Sequence, residues 1–461
     1  FAGGSWVASG DVALANLGTK DIGELARSSS AAVTSTRFRF DLGANRSLRA
    51  AGLFNDNLST AATVRQRLGR AVFDVDWTSY TAEDRATFSG GAGGTRVTSA
   101  GLVAAATTPR IMYTPATLVA LGLLTEQQLT NLFTYSQEID NAAWTKQGST
   151  ISANAAASPD GSSNADKLVE DTSTGFHRVY QTPATPGTAQ TITFYAKAAE
   201  RSIVFVRMND AGNVARNAWF NLATGAVGSA DTGYVTSIFP AGDGWYRCVA
   251  TLSGGTSGAI ASIAVSTADT VATYTGTSGS GAFIWGAELK AASFPASYTP
   301  TTSAAVTQTA DSTTITSSSF TGIHSATAGT IYAEFNLNAA SGTRPIVSLD
   351  DGTANERIEM YVSGTSLKFK VVDGGVTQCD ITIGTVAADT FYKAAVAWSA
   401  NDFTGCLSGT LAASPDTSGT LPTVDRMRIG SDQAGNFQNG HQKRTARFTE
   451  RLTNAELQTI T

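Results

Sequence analysis

Short runs of alternating apolar and polar residues, bounded by Gly, Asp, Asn or Ser, recur along most of the chain. A period of two places successive side chains on opposite faces of an extended backbone, so these runs predict half-buried β-strands. From 141 to 300 they read ADKLVED, HRVYQT, TITFYAKA, SIVFVRMND, ARNAWFNL, GWYRCVATL, IASIAVS and AFIWGAEL. That number of strands at this spacing predicts a two-sheet jelly roll. Beyond the Ser/Thr-rich joint TSAAVTQTADSTTITSSS, the runs GTIYAEFNL, RPIVSLDDG, ERIEMYVSG, SLKFKVVDGG, CDITIG, FYKAAVAWS, CLSG and DRMRIGS predict a second sandwich over 301–461. The fold class expected is all-β: tandem antiparallel β-sandwiches, or jelly rolls, behind an N-terminal β-rich anchoring region.

The first 80 residues differ in being rich in arginine. Alternation at Phe38, Phe40 and Leu42, and again at Leu48, Ala50 and Gly52, predicts strands there. Arg37, Arg39, Arg46, Arg49, Arg65, Arg67 and Arg70 face only Asp41 and Asp56, an excess of five positive charges. They suit docking on an acidic protein surface, or equally a solvated strand face. Residues 81–140 read as a linker: GGAGG lacks the spacing and following helix of a phosphate-binding loop. Within it LTEQQLTNLF, with apolar Leu124, Leu129, Leu132 and Phe133 and a Thr125/Gln128 capping pair, predicts a short helix.

Composition narrows the function. The 461 residues carry a net charge of −5 and only 15% charged side chains, alongside 45 glycines. Nothing global recruits nucleic acid or an anionic membrane. No apolar run reaches the roughly 18 residues that span a bilayer, so no membrane insertion is expected. Cys248, Cys379 and Cys406 lack metal-ligand spacing and read as buried thiols, with a Cys379–Cys406 bridge left open. The chain begins at Phe1, which leaves open a removed initiator or a longer N-terminal piece.

The stretches Gly122–Trp144 and Phe283–Thr301 frame seven motifs: NAAW at Asn141, SPDG at Ser158, ADKL at Ala165, FYAKA at Phe194, GWYR at Gly244, WGAEL at Trp285 and PASYTPT at Pro295. In this order they resemble a carbohydrate-binding-like β-sandwich module of tail fibres, spikes and other surface proteins of tailed bacteriophages and phage-like particles. Phe38 to Gly69 resembles the central strands of a discoidin-like jelly roll, and ARFTERLTNAELQTIT resembles the last strand and helix of a concanavalin A-like or laminin-G-like domain. These resemblances imply a homo-oligomeric virion surface protein, assembled in the bacterial cytoplasm, that joins other virion proteins through its arginine-rich region and promotes adsorption by binding host surface polysaccharide. A structural decoration or connector protein and a glycan depolymerase are the rival readings. Relatives of the module often carry a structural calcium, for which no ligands stand out; no other cofactor is implied.

Sugar sites pair an aromatic ring with amides and charged groups. If Ala218, Phe220 and Leu222 face the core, Asn217, Trp219 and Asn221 point outward; likewise Val204, Val206 and Met208 leave Phe205, Arg207 and Asn209 outside. Those six residues, with Trp219 as an exposed platform, are the expected carbohydrate face. Trp245 and Trp285 lie in framework motifs and read as core, and His177 reads as structural. DGSSNAD places Asp160, Ser162, Asn164 and Asp166 like the start of a calcium loop, but Ala165 and Asp171 stand where Gly and Glu are needed. Glu356 and Glu359 are three apart and diverge, and no nucleophile elbow or zinc motif occurs, so no catalytic or metal residues are nominated.

Overall fold

A computed structural model describes residues 71–80, 85–184 and 189–461, together with the backbone of the antiparallel two-residue strands Trp6–Val7 and Arg27–Ser28. The chain divides into two units, Phe1–Val64 and Arg65–Thr461. The discoidin-like segment and all seven arginines from Arg37 to Arg70 lie outside the described residues. The second unit is all-β and built of antiparallel β-sandwiches, as the alternation predicts.

Each of the eight runs between 141 and 300 is a strand. With four further strands they build two six-stranded sheets. The first runs Thr145–Gln147, His177–Gln181, Ala261–Ser266, Ile203–Asn209, Ala215–Asn221, Ala226–Ala230; the second runs Ser149–Ala156, Ala165–Glu170, Gly281–Lys290, Gln190–Ala198, Trp245–Leu252, Tyr234–Pro240. Between them lies a core of Leu168, Ile192, Phe194, Val204, Val206, Met208, Phe220, Ile263, Val265, Ile284 and Leu289. Burial of such side chains contributes about 1.5–3 kcal/mol each and fixes the register, because a one-residue slip would turn every one of them outward.

The C-terminal sandwich packs a seven-stranded sheet on an eight-stranded one. It ends as expected, in the strand Gly440–Phe448 and the helix Asn454–Ile460, whose Thr453 and Glu456 form a capping box. Its composition corrects the reading of 81–140 as linker. Phe73–Asp76 pairs with Gly440–Phe448, Thr87–Ser89 pairs with Ser312–Thr316, and Ile111–Tyr113 and Ala120–Thr125 extend the eight-stranded sheet. Phe73, Val75, Trp77 and Leu123 sit in the same core as Ile331, Val347 and Trp398. The middle sandwich is therefore inserted between strands of the C-terminal one. Its entry and exit, Leu129–Asn131 and Val306–Gln308, pair with each other.

The short helix expected at Leu124–Phe133 is instead two strands, Ala120–Thr125 and Leu129–Asn131. Tertiary pairing overrides the local signal. Gly122, at φ +88°, lets the strand press so close to Gln442 that a Cβ would lie 2.1 Å from its carbonyl oxygen. Thr125 is fully buried and its hydroxyl caps nothing.

An ionic cluster locks the joint. Arg110, on the stretch entering Ile111–Tyr113, donates from Nε to Asp311 Oδ1 (2.9 Å) and from Nη2 to Glu126 Oε2 (2.9 Å). Ser297, from the end of the middle sandwich, donates from its backbone N–H to Glu126 Oε1 (2.8 Å). The Arg110 and Lys290 charges hold the Glu126 carboxyl down at about 2 against its burial, whereas burial pushes Asp311 up to about 6 despite Arg110.

Candidate carbohydrate-binding face

The two outer faces of the middle sandwich are treated differently by the chain. Over the second sheet, Tyr195, Trp245 and Trp285 pack with Val103 and Tyr298. Val103 comes from the hairpin Thr95–Val97/Val103–Ala105, and Tyr298 from the stretch after the last strand. The indoles of Trp245 and Trp285 donate to Ala157 O (3.1 Å) and Asn164 Oδ1 (2.9 Å). Both are buried as expected, beneath a lid rather than between the sheets.

On the first sheet the alternation holds: Val204, Val206, Met208, Ala218, Phe220 and Leu222 fill the core. The exposed platform, however, is not there. Trp219 is only 5% exposed and Phe205 0%. Their rings stack under Phe176 and Ala272, and Trp219 Nε1 reaches Val271 O at 3.4 Å. The loop after Ser266 folds back over them, so they form a second apolar layer. Strand alternation names the outward face but cannot see a loop covering it. A shallow pocket of about 170 Å³ remains beside Trp219, lined also by Asn221, Val227 and Asp269.

The amides divide as well. Asn209 Nδ2 donates to Asn213 Oδ1 (2.8 Å), and Asn221 Oδ1 accepts from the N–H groups of Ala223 and Thr224, so both shape turns. Asn217 stays on the open part of the face, held by Asp231 through its backbone N–H (2.7 Å) and Nδ2 (3.1 Å), and it accepts from Arg207 Nη1 (3.3 Å).

Beside Arg207 stand residues the site reading missed. Across the sheet, Tyr180 aligns with Ser262, and Ser262 with Arg207 and thence Asn217; in the next row Arg178 aligns with Ala264, Phe205 and Trp219. The Arg178 guanidinium lies 4.5 Å from the Phe176 ring centre and 5.2 Å from that of Tyr180, while Arg207 lies 5.0 Å from Phe176. Two cations thus flank one phenyl ring. The signal was in the sequence: in FHRVYQ, Phe176, Arg178 and Tyr180 alternate with His177 and Val179. His177 is buried, its ring nitrogens 2.5 Å from Gly148 O and 3.2 Å from Tyr274 O, and is structural as expected.

The other acidic candidates are engaged locally. Asp160 accepts from Ser162 N (2.9 Å), and Asp166 accepts from Ile139 N (2.8 Å) and Asn154 N (2.9 Å), giving a plain turn and a strand brace. Glu356 accepts from Gly374 N (2.7 Å), while Glu359 is buried on the other sandwich face beside Arg357 (3.0 Å). Cys248, Cys379 and Cys406 are free and buried, so the Cys379–Cys406 bridge does not form.

No family profile matches this chain, and no curated protein does. Solved structures give distant likenesses. A carbohydrate-binding module of a Ruminococcus gnavus sialidase, bound to α2,3-sialyllactose, is 14% identical over 31% of this chain and 86% of its own, with a TM-score of 0.28. The NanB sialidase of Streptococcus pneumoniae is 15% identical over 32% of this chain and 26% of its own, TM-score 0.27. The binding domain of botulinum neurotoxin DC is 9% identical over 32% and 39%, TM-score 0.27. At these values the functional reading rests on the site itself.

Proposed function

We propose that this chain is a non-enzymatic glycan-binding protein whose middle sandwich receives sugar on the outer face of its first sheet. The observation that carries this reading is the contrast between the two outer faces. One is roofed by a hairpin and the stretch that follows the module's last strand; the other presents a half-buried Tyr180, Arg207 and Asn217 beside one another. An aromatic ring with guanidinium and amide donors around it supplies what a pyranose needs: stacking for its apolar face and hydrogen bonds for its hydroxyls. The ordered motifs from Asn141 to Thr301 support a setting on the surface of a phage or phage-like particle, where many copies of a weak site on a homo-oligomer give strong adsorption to host polysaccharide.

A printed glycan panel probed with the whole chain tests this. Selective retention is expected, with loss on Tyr180→Ala combined with Asn217→Ala at an unchanged melting temperature. A folded chain that retains no glycan overturns the reading. Adsorption is checked on assembled particles, which should prefer capsulated to capsule-free host cells.

A further inference from the structure

The face just described has an electrostatic imbalance that neutral sugar does not explain. Arg178 and Arg207 approach the same phenyl ring, and among the described residues no carboxylate forms an ion pair with either. Asp231, the acid bonded to Asn217, accepts from its backbone and side-chain amides. Arg178 is only 6% exposed, yet its buried Nη1 has no hydrogen-bond partner; its Nε donates to Gln147 Oε1 at 2.8 Å. A buried donor left unmade is costly, and two like charges side by side add to the cost. Burial and the neighbouring Arg207 accordingly pull the Arg178 guanidinium below its usual pKa.

The shape of the face fits the charge. The middle strand contributes the small residues Ser262 and Ala264, both fully buried, between taller side chains on either side. Flanking strands stand about 10 Å apart, two strand spacings, and the side chains of Phe176, Arg178 and Arg207 close over the small pair, leaving half-buried Tyr180 and Arg207 as the accessible rim. Phe176 closes the Ala264 end by packing on Phe205 and Trp219. The Ser262 end lies between Tyr180 and Arg207.

We infer that the rim formed by Tyr180, Arg207 and Asn217 takes the anionic group of an acidic sugar, a ring carboxylate or a sulfate ester, with Arg207 as its direct counter-charge, Arg178 adding to the positive field from below, and Tyr180 against the sugar ring. The inference rests on the glycan-binding reading and adds the class of sugar to it. A guanidinium offers a planar fork that matches the two oxygens of a carboxylate or sulfate, and one anion at Arg207 would relieve the repulsion between the two cations.

Calorimetric titration of the whole chain with trigalacturonate, its methyl ester and a sulfated galactose trisaccharide tests the inference. Trigalacturonate or the sulfated sugar should bind at least tenfold more tightly than the ester, and the stronger of the two identifies the anion. Arg207→Gln should remove that preference without shifting the melting temperature, and Arg178→Lys, which keeps the charge but not the fork, should weaken it only in part. Rising salt should weaken the acidic ligand more than the ester. Equal binding of acid, sulfate and ester, or binding by Arg207→Gln as tight as wild type, overturns the acidic preference and leaves the glycan reading standing. Failure of both anionic sugars to bind overturns it too, whatever the printed panel retains. Should Arg178 variants unfold, the Arg207 variant decides.

Discussion

The indole of Trp219 lies over the phenyl ring of Phe205 on the adjacent strand, ring centres 5.4 Å apart and planes inclined by 25°. Sequence alternation assigns both rings correctly to the outside of the sheet, yet both are buried, so their work is cohesive. Trp219→Ala should therefore destabilise the middle sandwich by about 3–5 kcal/mol, as Trp285→Ala should. Urea unfolding followed by fluorescence measures both. A Trp219→Ala chain that melts like wild type but loses sugar would return the ring to the role of exposed platform.

The Arg110 cluster gives a second expectation. Arg110→Met leaves the Glu126 and Asp311 carboxylates buried without their shared cation, and breaking a buried pair this way costs about 3–5 kcal/mol. Replacing Arg110, Glu126 and Asp311 together by apolar residues of similar size should cost less than the single change. Denaturation midpoints of the two variants make the comparison; equal losses would mean that packing, not charge, holds the joint.

Glu359 predicts a pH effect of definite sign. Burial pushes its carboxyl from 4.5 up to about 7, against the opposing pull of Arg357. The folded chain then holds a proton that the unfolded chain has released, so between these values stability falls as pH rises, by up to about 3 kcal/mol. Glu359→Gln should flatten that decline and melt higher than wild type at pH 8 but not at pH 4. Parallel melting curves across this range would show Glu359 to be ionised in the folded state.

The anchor expectation changes with the topology. Removing residues 1 to 120 would strip Phe73, Val75 and Trp77 from the C-terminal core, so the cut must fall before Ala71. A chain starting at Ala71 should fold and keep its sugar binding but fail to join particles, and reversing charge at Arg65 and Arg67 in the full chain should weaken incorporation. Copy number on purified particles measures this. Wild-type occupancy by the shortened chain would move attachment to another surface.

What the sequence made legible follows from where burial imposes a pattern. Central strands such as Ile203–Asn209 and Arg357–Ser363 alternate cleanly because one face is core. Edge strands such as Ala226–Ala230, exposed along most of its length, carry no such constraint and escaped notice. Thr87–Ser89 and Ile111–Tyr113 are too short to show a period, and the partners of Thr87–Ser89 and Ala120–Thr125 in the C-terminal sandwich lie hundreds of residues away in sequence, so pairing could not be read locally. At the candidate site, alternation found Arg207 and Asn217 and had the means to find Arg178 and Tyr180; it failed on Trp219 because a loop, not a strand, decides its exposure.

Insertion of one sandwich into another leaves the middle module held by two chain crossings side by side, Leu129–Asn131 and Val306–Gln308, hydrogen-bonded to each other. A module strung on a single linker can swivel, and a flexible one averages over all azimuths. Two adjacent crossings, clamped at their base by Arg110, Glu126 and Asp311, suppress that rotation. The face bearing Tyr180 and Arg207 therefore keeps a fixed heading on the C-terminal sandwich. Any array of these chains would present its binding faces in one orientation, as a comb presents its teeth, and a surface ligand would meet them by translation alone.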